Sequence, residues 1–274
     1  MLARGTNRNG QLGDSAAPAY RDEFAPVPGL AGVARVAIRG NTCFALTGTG
    51  TLYVWGEGAD RLRGDAALDE RAPGPVPAAS PVVDFVSNGI ELFTAHADGT
   101  VFGRSSANGI SYLGNGAAST TGSGTLFPAT QVQGLASVVR LARGSGFNGG
   151  SHRFAIRGSD GALLGWGENS AGEIGLGHVN RVFTPAAIGT GGAPVADVRV
   201  VLSAVAALTE DGRVFGWGLS SFQAPRLPAE VPGLTDVVQL HLTWSQGFAL
   251  TAGGSVSTWS TSETPFRPRG IVLR

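Results

Sequence analysis

The segment FALTGTGTLYVWG at 44–56 comes back four times along the chain, as FTAHADGTVFGRS at 93–105, FAIRGSDGALLGWG at 154–167, AALTEDGRVFGWG at 206–218 and FALTAGGSVSTWS at 248–260. Self-similarity at a period of tens of residues constrains a fold more than any local propensity. Each copy must be one supersecondary unit that buries its apolar face against its neighbours. The fixed point of the repeat is a tryptophan, Trp55, Trp166, Trp217 or Trp259, with Arg104 standing in its place in the second copy. MLARG at the start matches the end of a further copy, with Arg4 at the same position. Positions 4, 55, 104, 166, 217 and 259 set a repeat of about fifty residues with loops of variable length.

Each copy reads as a hairpin: a short apolar strand, a turn of Gly, Asp, Ser or Thr, then an alternating strand that ends at the tryptophan position. Between hairpins lies a second pattern, a Pro-rich approach followed by a β-branched run: PVPGLAGVARVAI at 26–38, PVVDFV at 81–86, VQGLASVVRLA at 132–142, PVADVRVVL at 194–202 and VPGLTDVVQLHL at 231–242. These supply two further strands per unit. Four short strands per repeat and no helical period anywhere predict an all-β chain, a β-propeller of four-stranded blades. Residues 1–274 then form a single repeat domain of five full repeats, with a partial leading strand at 1–4 and a trailing one near 269–273. An open propeller would expose sheet edges, so a chain that opens inside a repeat is expected to be a piece of a longer one. A monomer is expected if the ring closes, and self-association through open edges if it does not.

Composition narrows the function. The chain has 274 residues, 43 of them Gly and 15 Pro, which suits a protein built from turns. Twenty cations, all Arg, balance twenty acids to a net charge of zero, so no basic patch argues for nucleic acid. Cys43 is the lone cysteine, which excludes a disulfide framework and a Cys-based zinc site. No apolar run reaches the roughly 20 residues of a membrane helix, and MLARGTNRNG lacks the apolar core of a signal peptide. These features favour a soluble chain of unspecified compartment, whose leader would lie outside it if the chain is a piece.

The tryptophan strand leads into a second recurring element, GWGENSAGEIGLG at 165–177, seen also as GTNRNGQLGD at 5–14. Its glycines do not make a phosphate loop, because no Lys and no helix follow. Turn chemistry explains them: Gly172 and Gly175 supply positive φ and Asn169 tolerates the left-handed region. WGENSAGEIGLG, GTNRNGQLGD and the hairpins ending in Trp-Gly resemble the repeats of the regulator of chromosome condensation family over nearly the whole chain. Individual copies depart from the pattern: GEGADRLRGD at 56–65 loses the Asn and the Gly-Gln-Leu, SANGISYLGNG at 106–116 is stretched, and GLSSFQAP at 218–225 keeps only its first Gly. The resemblance implies a propeller, usually of seven closed blades, used either for nucleotide exchange on a small nuclear GTPase with chromatin binding or for inhibition of an enzyme by a secreted propeller. Exchange is disfavoured by the short chain and the absence of a Lys-rich tail.

Candidate chemistry is sparse. Trp55, Trp166, Trp217 and Trp259 recur once per repeat and are expected to pack between neighbouring sheets, while Trp244 stands outside that position. Gly144, Gly146 and Gly149 match a dinucleotide fingerprint, but SHRFAIRG continues as a strand where that fingerprint needs a helix. His96, His152, His178 and His241 fall at unlike positions without metal-ligand spacing, and His152 is expected to fix a turn. Adjacent acids such as Asp22-Glu23, Asp69-Glu70 and Glu210-Asp211 read as solvated loop or turn residues. No catalytic, cofactor or metal site is expected.

Loops on a rigid ring remain, and they carry binding in this architecture. The expected function is a non-enzymatic protein-interaction module whose unidentified protein partner is held by blade loops. The candidate residues are Arg61, Arg63, Asp65, Tyr112, His178, Arg181 and Phe222, with Tyr112 read as exposed. Asn169, Gly172 and Gly175 join the four repeat tryptophans as structural positions. The alternatives are a secreted inhibitor-like propeller, or an enzyme or carbohydrate-binding propeller with a central-channel site. The last requires polar or acidic innermost strands, which read here as apolar and small.

Overall fold

The computed structural model describes residues 1–64, 69–105, 109–116, 119–121, 128–145, 151–218, 226–261 and 267–271. The chain divides into two compact units, 1–111 with 119–131, and 112–118 with 132–274.

The first unit opens with a two-stranded antiparallel pair, Leu2–Thr6 against Tyr20–Pro26. Its first four-stranded sheet is Val33–Arg39, Thr42–Thr47, Leu52–Gly56 and Gly74–Pro75, and its second is Val82–Ser87, Glu91–His96, Val101–Ser105 and Thr130–Gln131. A short ribbon pairs Gly109–Ser111 with Ser119–Thr121. The second unit holds three sheets. The third is Val138–Ser145, Ser151–Arg157, Leu163–Gly167 and Val182–Ile188, and the fourth is Val195–Val201, Ala204–Thr209, Val214–Trp217 and Ala229–Glu230. The fifth is Val237–Leu242, Gln246–Thr251, Val256–Ser260 and Arg269–Ile271. The trailing strand is thus the fourth of the last sheet, and the partial repeat at the start has two strands rather than one.

All five sheets share one plan: leading, second, third and fourth strands lie side by side, antiparallel, in chain order. The register repeats too. Every leading strand carries an irregularity two residues in, between Val33 and Arg35, Val82 and Asp84, Val138 and Arg140, Val195 and Asp197, and Val237 and Gln239. The second strands TCFALT, ELFTAH and AVAALT are buried at all six positions. A strand covered on both faces loses the apolar-polar alternation of a half-exposed one, which is why these segments read as continuous runs.

The cores lie between consecutive sheets. Phe44, Leu52, Val54, Phe85 and Leu92 join the first sheet to the second, Phe154, Ile156, Val198, Phe215 and Trp217 the third to the fourth, and Leu208, Val214, Leu240 and Trp259 the fourth to the fifth. Backbone bonds tie the same pairs: the hairpin carbonyls of Gly50, Gly161 and Gly212 accept the first N–H of the next leading strand, from Val82, Val195 and Val237, at 2.8, 2.8 and 3.1 Å. The hairpin acids behave as ordinary turn residues, with Asp98 Oδ1 accepting the Thr100 N–H at 3.0 Å and Asp160 Oδ1 the Ala162 N–H at 3.1 Å.

Two sequence expectations change. Four of the five leading strands carry a charge at the bulge, with Gln239 in the fifth: Arg35 pairs with Asp84 of the next sheet, and Arg140 with Asp197 at 2.7 Å. The second change is a single helical turn, Ala59–Arg63, bounded by left-handed Gly58 and Gly64. Five residues are too few to show a helical period, and tertiary burial of Ala59 and Leu62 in the core of the first unit stabilises the turn.

Candidate functional site

The loop that leaves a third strand is organised by one asparagine. In the 168–181 loop, Asn169 is fully buried; its Oδ1 accepts the Ile174 N–H at 2.8 Å and its Nδ2 donates to the carbonyls of His178 and Asn180, each at 2.9 Å. Asn7 does the same work in the 5–19 loop, accepting from Leu12 N–H at 2.9 Å and donating to the Ala17 carbonyl at 3.2 Å. Gly172 donates its N–H to the Asn169 carbonyl and Gly175 to the Gly172 carbonyl, at 3.0 and 3.1 Å, with φ of 80° and 83°. An L side chain at either position would be strained. The loop then docks on a tryptophan of the next sheet. Trp217 Nε1 donates to the Glu173 carbonyl at 2.9 Å, and a Cβ on Gly175 would lie 2.7 Å from that nitrogen. Trp55 Nε1 donates to the Gln11 carbonyl at the same distance, 2.9 Å. Trp55, Trp166, Trp217 and Trp259 are all buried, and Trp217 and Trp259 sit in the cores between consecutive sheets of the second unit.

On this base sits a polar cluster that the chain assembles from distant positions. Glu168 Oε2 accepts from the Tyr112 hydroxyl and from Arg181 Nε, both at 3.1 Å, and Phe183 packs on the Tyr112 ring with centroids 5.8 Å apart. Tyr112 is 3% exposed, not the exposed loop residue the sequence suggests; its apolar neighbours recruit the ring and Glu168 satisfies its hydroxyl. Burial first, then the Glu168 charge, raises the Tyr112 pKa, while Glu168 raises that of Arg181. Arg181 itself is exposed beside exposed His178, Val179 and Asn180. Gly177 N–H donates to the Arg226 carbonyl at 2.8 Å, which brings exposed Leu227 of the next loop against this segment.

Because strands alternate in direction, leading-to-second turns and third-to-fourth loops leave a sheet at the same end. His178, Arg181 and Leu227 lie in such loops, and Trp244, 76% exposed, lies in such a turn of the fifth sheet. Sequence reasoning missed Glu168 and Trp244, whereas Val179 and Leu227 lie in the stretches 177–183 and 219–228 that it marked as binding loops. Trp244 gave one signal, its place outside the repeat position.

The other candidates lie in the first unit or outside the described residues. Arg61 is exposed on the helical turn. Arg63 is 8% exposed, and Nη2 donates to the Asp69 carbonyl at 2.5 Å while the side chain lies over Gly74, so it holds its own loop rather than facing solvent. Asp65 and Phe222 lie outside the described residues.

Comparison with known proteins fits this geometry. No protein-family model matches the chain. It is 26% identical over 248 residues to the RCC1 domain-containing protein RUG3, mitochondrial, of Arabidopsis thaliana, covering 83% of this chain. The chain spans about half the length of that curated relative, 54%. Human WBSCR16 superimposes with a TM-score of 0.71 at 18% identity, over 99% of this chain and 76% of that one. A chain of the crystal structure of Kap60 bound to yeast RCC1 (Prp20) matches with a TM-score of 0.72 at 19% identity, over 94% of this chain and 65% of that one.

The chain is an RCC1-like β-propeller. In the RCC1-like repeat the Trp-Gly, Asn and Gly-Gln-Leu-Gly elements thus have distinct physical duties: the Trp pins sheet to sheet, the Asn closes the loop, and the last Gly lets the loop touch the next indole. Among the described residues, no helix is long and apolar enough to cross a membrane.

Proposed function

We propose that this RCC1-like propeller is a non-enzymatic protein-interaction module, and that the loops at the common end of the second unit's sheets hold its partner. The observation that carries this reading is the mounting of exposed Arg181 and Val179 on a buried, saturated base of Asn169, Glu168 and Tyr112. Arg, Trp and large apolar groups supply most interface energy when they are held rigid, because little entropy is lost on binding. Exposed Leu227 and Trp244 at the same end extend the surface. A fold neighbour crystallised with Kap60 gives precedent for a protein complex on such a fold. The acids of the leading strands favour binding over channel catalysis, since Asp84 and Asp197 are each held by an arginine. Burial pushes the Cys43 thiol up to about 11, so it is no nucleophile at neutral pH.

The test is cross-linking mass spectrometry and pull-down with purified chain against the double variant Arg181→Ala, Leu227→Ala and the single variant Trp244→Ala. Arg157→Ala, on a hairpin at the opposite end of the third sheet, is the control. Partners retained by the control and lost by both others, with unchanged melting temperatures, support the reading; partners retained by all three overturn it.

A further inference from the structure

At the tryptophan position of the second repeat stands Arg104, and its surroundings differ from those of the tryptophans. Trp55, Trp166, Trp217 and Trp259 are packed away from solvent, each 3% exposed or less. Arg104 is only partly buried and borders a cavity of about 360 Å³ in the first unit. Pro77, Ala78, Ala79, Phe102 and Ala129 wall the cavity with His96, so apart from the two rings its walls are short apolar groups. The volume lies at the lower end of the range for small-ligand pockets.

The guanidinium is the polar group that distinguishes this pocket. One Nη of Arg104 donates to the Pro77 carbonyl, its Nε–H is buried and meets no acceptor, and no carboxylate pairs with it among the described residues. Burial strips water from this cation and lowers its pKa. Both ring nitrogens of His96 are engaged within the protein, Nε2 with the Thr94 hydroxyl and Nδ1 with the Ser80 carbonyl, both at 2.9 Å, which leaves the guanidinium as the polar group free to meet a ligand. The imidazole lies edge-on to Phe102 with centroids 5.3 Å apart, which fixes it as a wall.

We propose that this pocket binds a carboxylate carried on a compact apolar group, the carboxylate on the Arg104 guanidinium and the apolar group against the alanines and Phe102. A planar carboxylate matches the guanidinium fork in shape and charge, and the short apolar walls suit a compact aliphatic body. Two sources share that chemistry, a free small acid and the C-terminal carboxylate of a peptide ending in a small aliphatic residue. The loss of the repeat tryptophan therefore creates a site where the other four repeats have only packing.

Isobutyrate and the dipeptide N-acetyl-Ala-Val are the probes, with the C-terminal amide of the dipeptide as the neutral comparison. Binding is read by calorimetry and by the shift in melting temperature of the full chain. A saturable response to isobutyrate or to the free dipeptide, absent for the amide and weakened at least about tenfold in Arg104→Gln, supports the site. A dipeptide that binds more tightly than isobutyrate identifies a peptide terminus as the source; the reverse order identifies a small acid. Arg104→Trp is expected to fill much of the cavity and abolish the response, and Arg104→Gln, which keeps the first three side-chain carbons and a polar end but removes the charge, serves if the tryptophan variant does not fold. No response in the wild type, or an equal response in Arg104→Gln, overturns the proposal. The loop variants of the second unit leave these readouts untouched, so either proposal can fail alone.

Discussion

Single buried polar residues carry much of what holds this chain together. Asn169 makes three hydrogen bonds from a fully buried side chain, so Asn169→Ala leaves one N–H and two carbonyls without their partner. The expected cost is about 3 kcal/mol, read as a lowered urea midpoint with unchanged slope. His152 and Glu173 act on stability with opposite signs of pH dependence. His152 is buried without exposure, and burial first, then Arg143 and Arg153, push its pKa from 6.5 to about 3. The unfolded chain therefore binds the proton more tightly. The neutral ring contributes fully above about 6.5, and its contribution is lost as pH falls toward 3. His152→Phe is expected to flatten the acid side of the stability profile. Glu173 is the reverse case: burial raises its pKa, so its ionised form costs stability at neutral pH and the cost fades as pH falls through the folded value. Gln11 fills the equivalent position in the first loop with an amide, accepting the Asn9 N–H at 2.9 Å as Glu173 Oε2 accepts that of Ala171 at 2.8 Å. Glu173→Gln should raise the melting temperature at pH 7 and give a smaller gain at pH 4.

At the scale of elements, the 168–181 loop behaves as a self-contained part that plugs into the next sheet, as the 5–19 loop does on Trp55. Gly172→Val meets both a positive φ and Arg226, whose Cγ would lie 2.9 Å from the new Cβ. Gly175→Ala meets the Trp217 indole at its hydrogen-bonding nitrogen. Both variants should melt earlier than wild type, and an unchanged melting temperature for either would refute the role given to that turn. Turn glycines and the hairpins were legible because turn chemistry is local, set within a few residues. Asn169, expected for its tolerance of the left-handed region, does not adopt positive φ and acts instead through its buried side chain. The helical turn at Ala59–Arg63 was not, since its stability comes from Ala59 and Leu62 reaching a core built by the next sheet. Arg63 and Tyr112 were misjudged as surface for the same reason. Polar or aromatic character does not report whether a carbonyl or a carboxylate at another place in the fold will receive the group.

For the whole molecule, sheet edges are the quantity that matters. Leu2–Thr6 pairs with Tyr20–Pro26 alone among the described residues, and this pair exposes Leu2, Tyr20 and Phe24. An unpaired strand flanked by exposed apolar groups is a template for association. Light scattering is expected to show concentration-dependent self-association, and Leu2→Lys with Tyr20→Lys is expected to suppress it; a monomer at all concentrations would show that the edge is covered. The amino-acid sequence by itself determined the repeat, the four strands per unit, the tryptophan pins and the glycine turns, because periodicity and turn chemistry act over short stretches of chain. Only the tertiary structure decided which polar groups meet. It put Tyr112 and Arg181 on Glu168, paired the leading-strand arginines with the next sheet's aspartates, and left Arg104 beside a cavity with no carboxylate partner among the described residues. Those pairings join residues tens of positions apart, and their energies depend on burial and distance, which no linear pattern encodes.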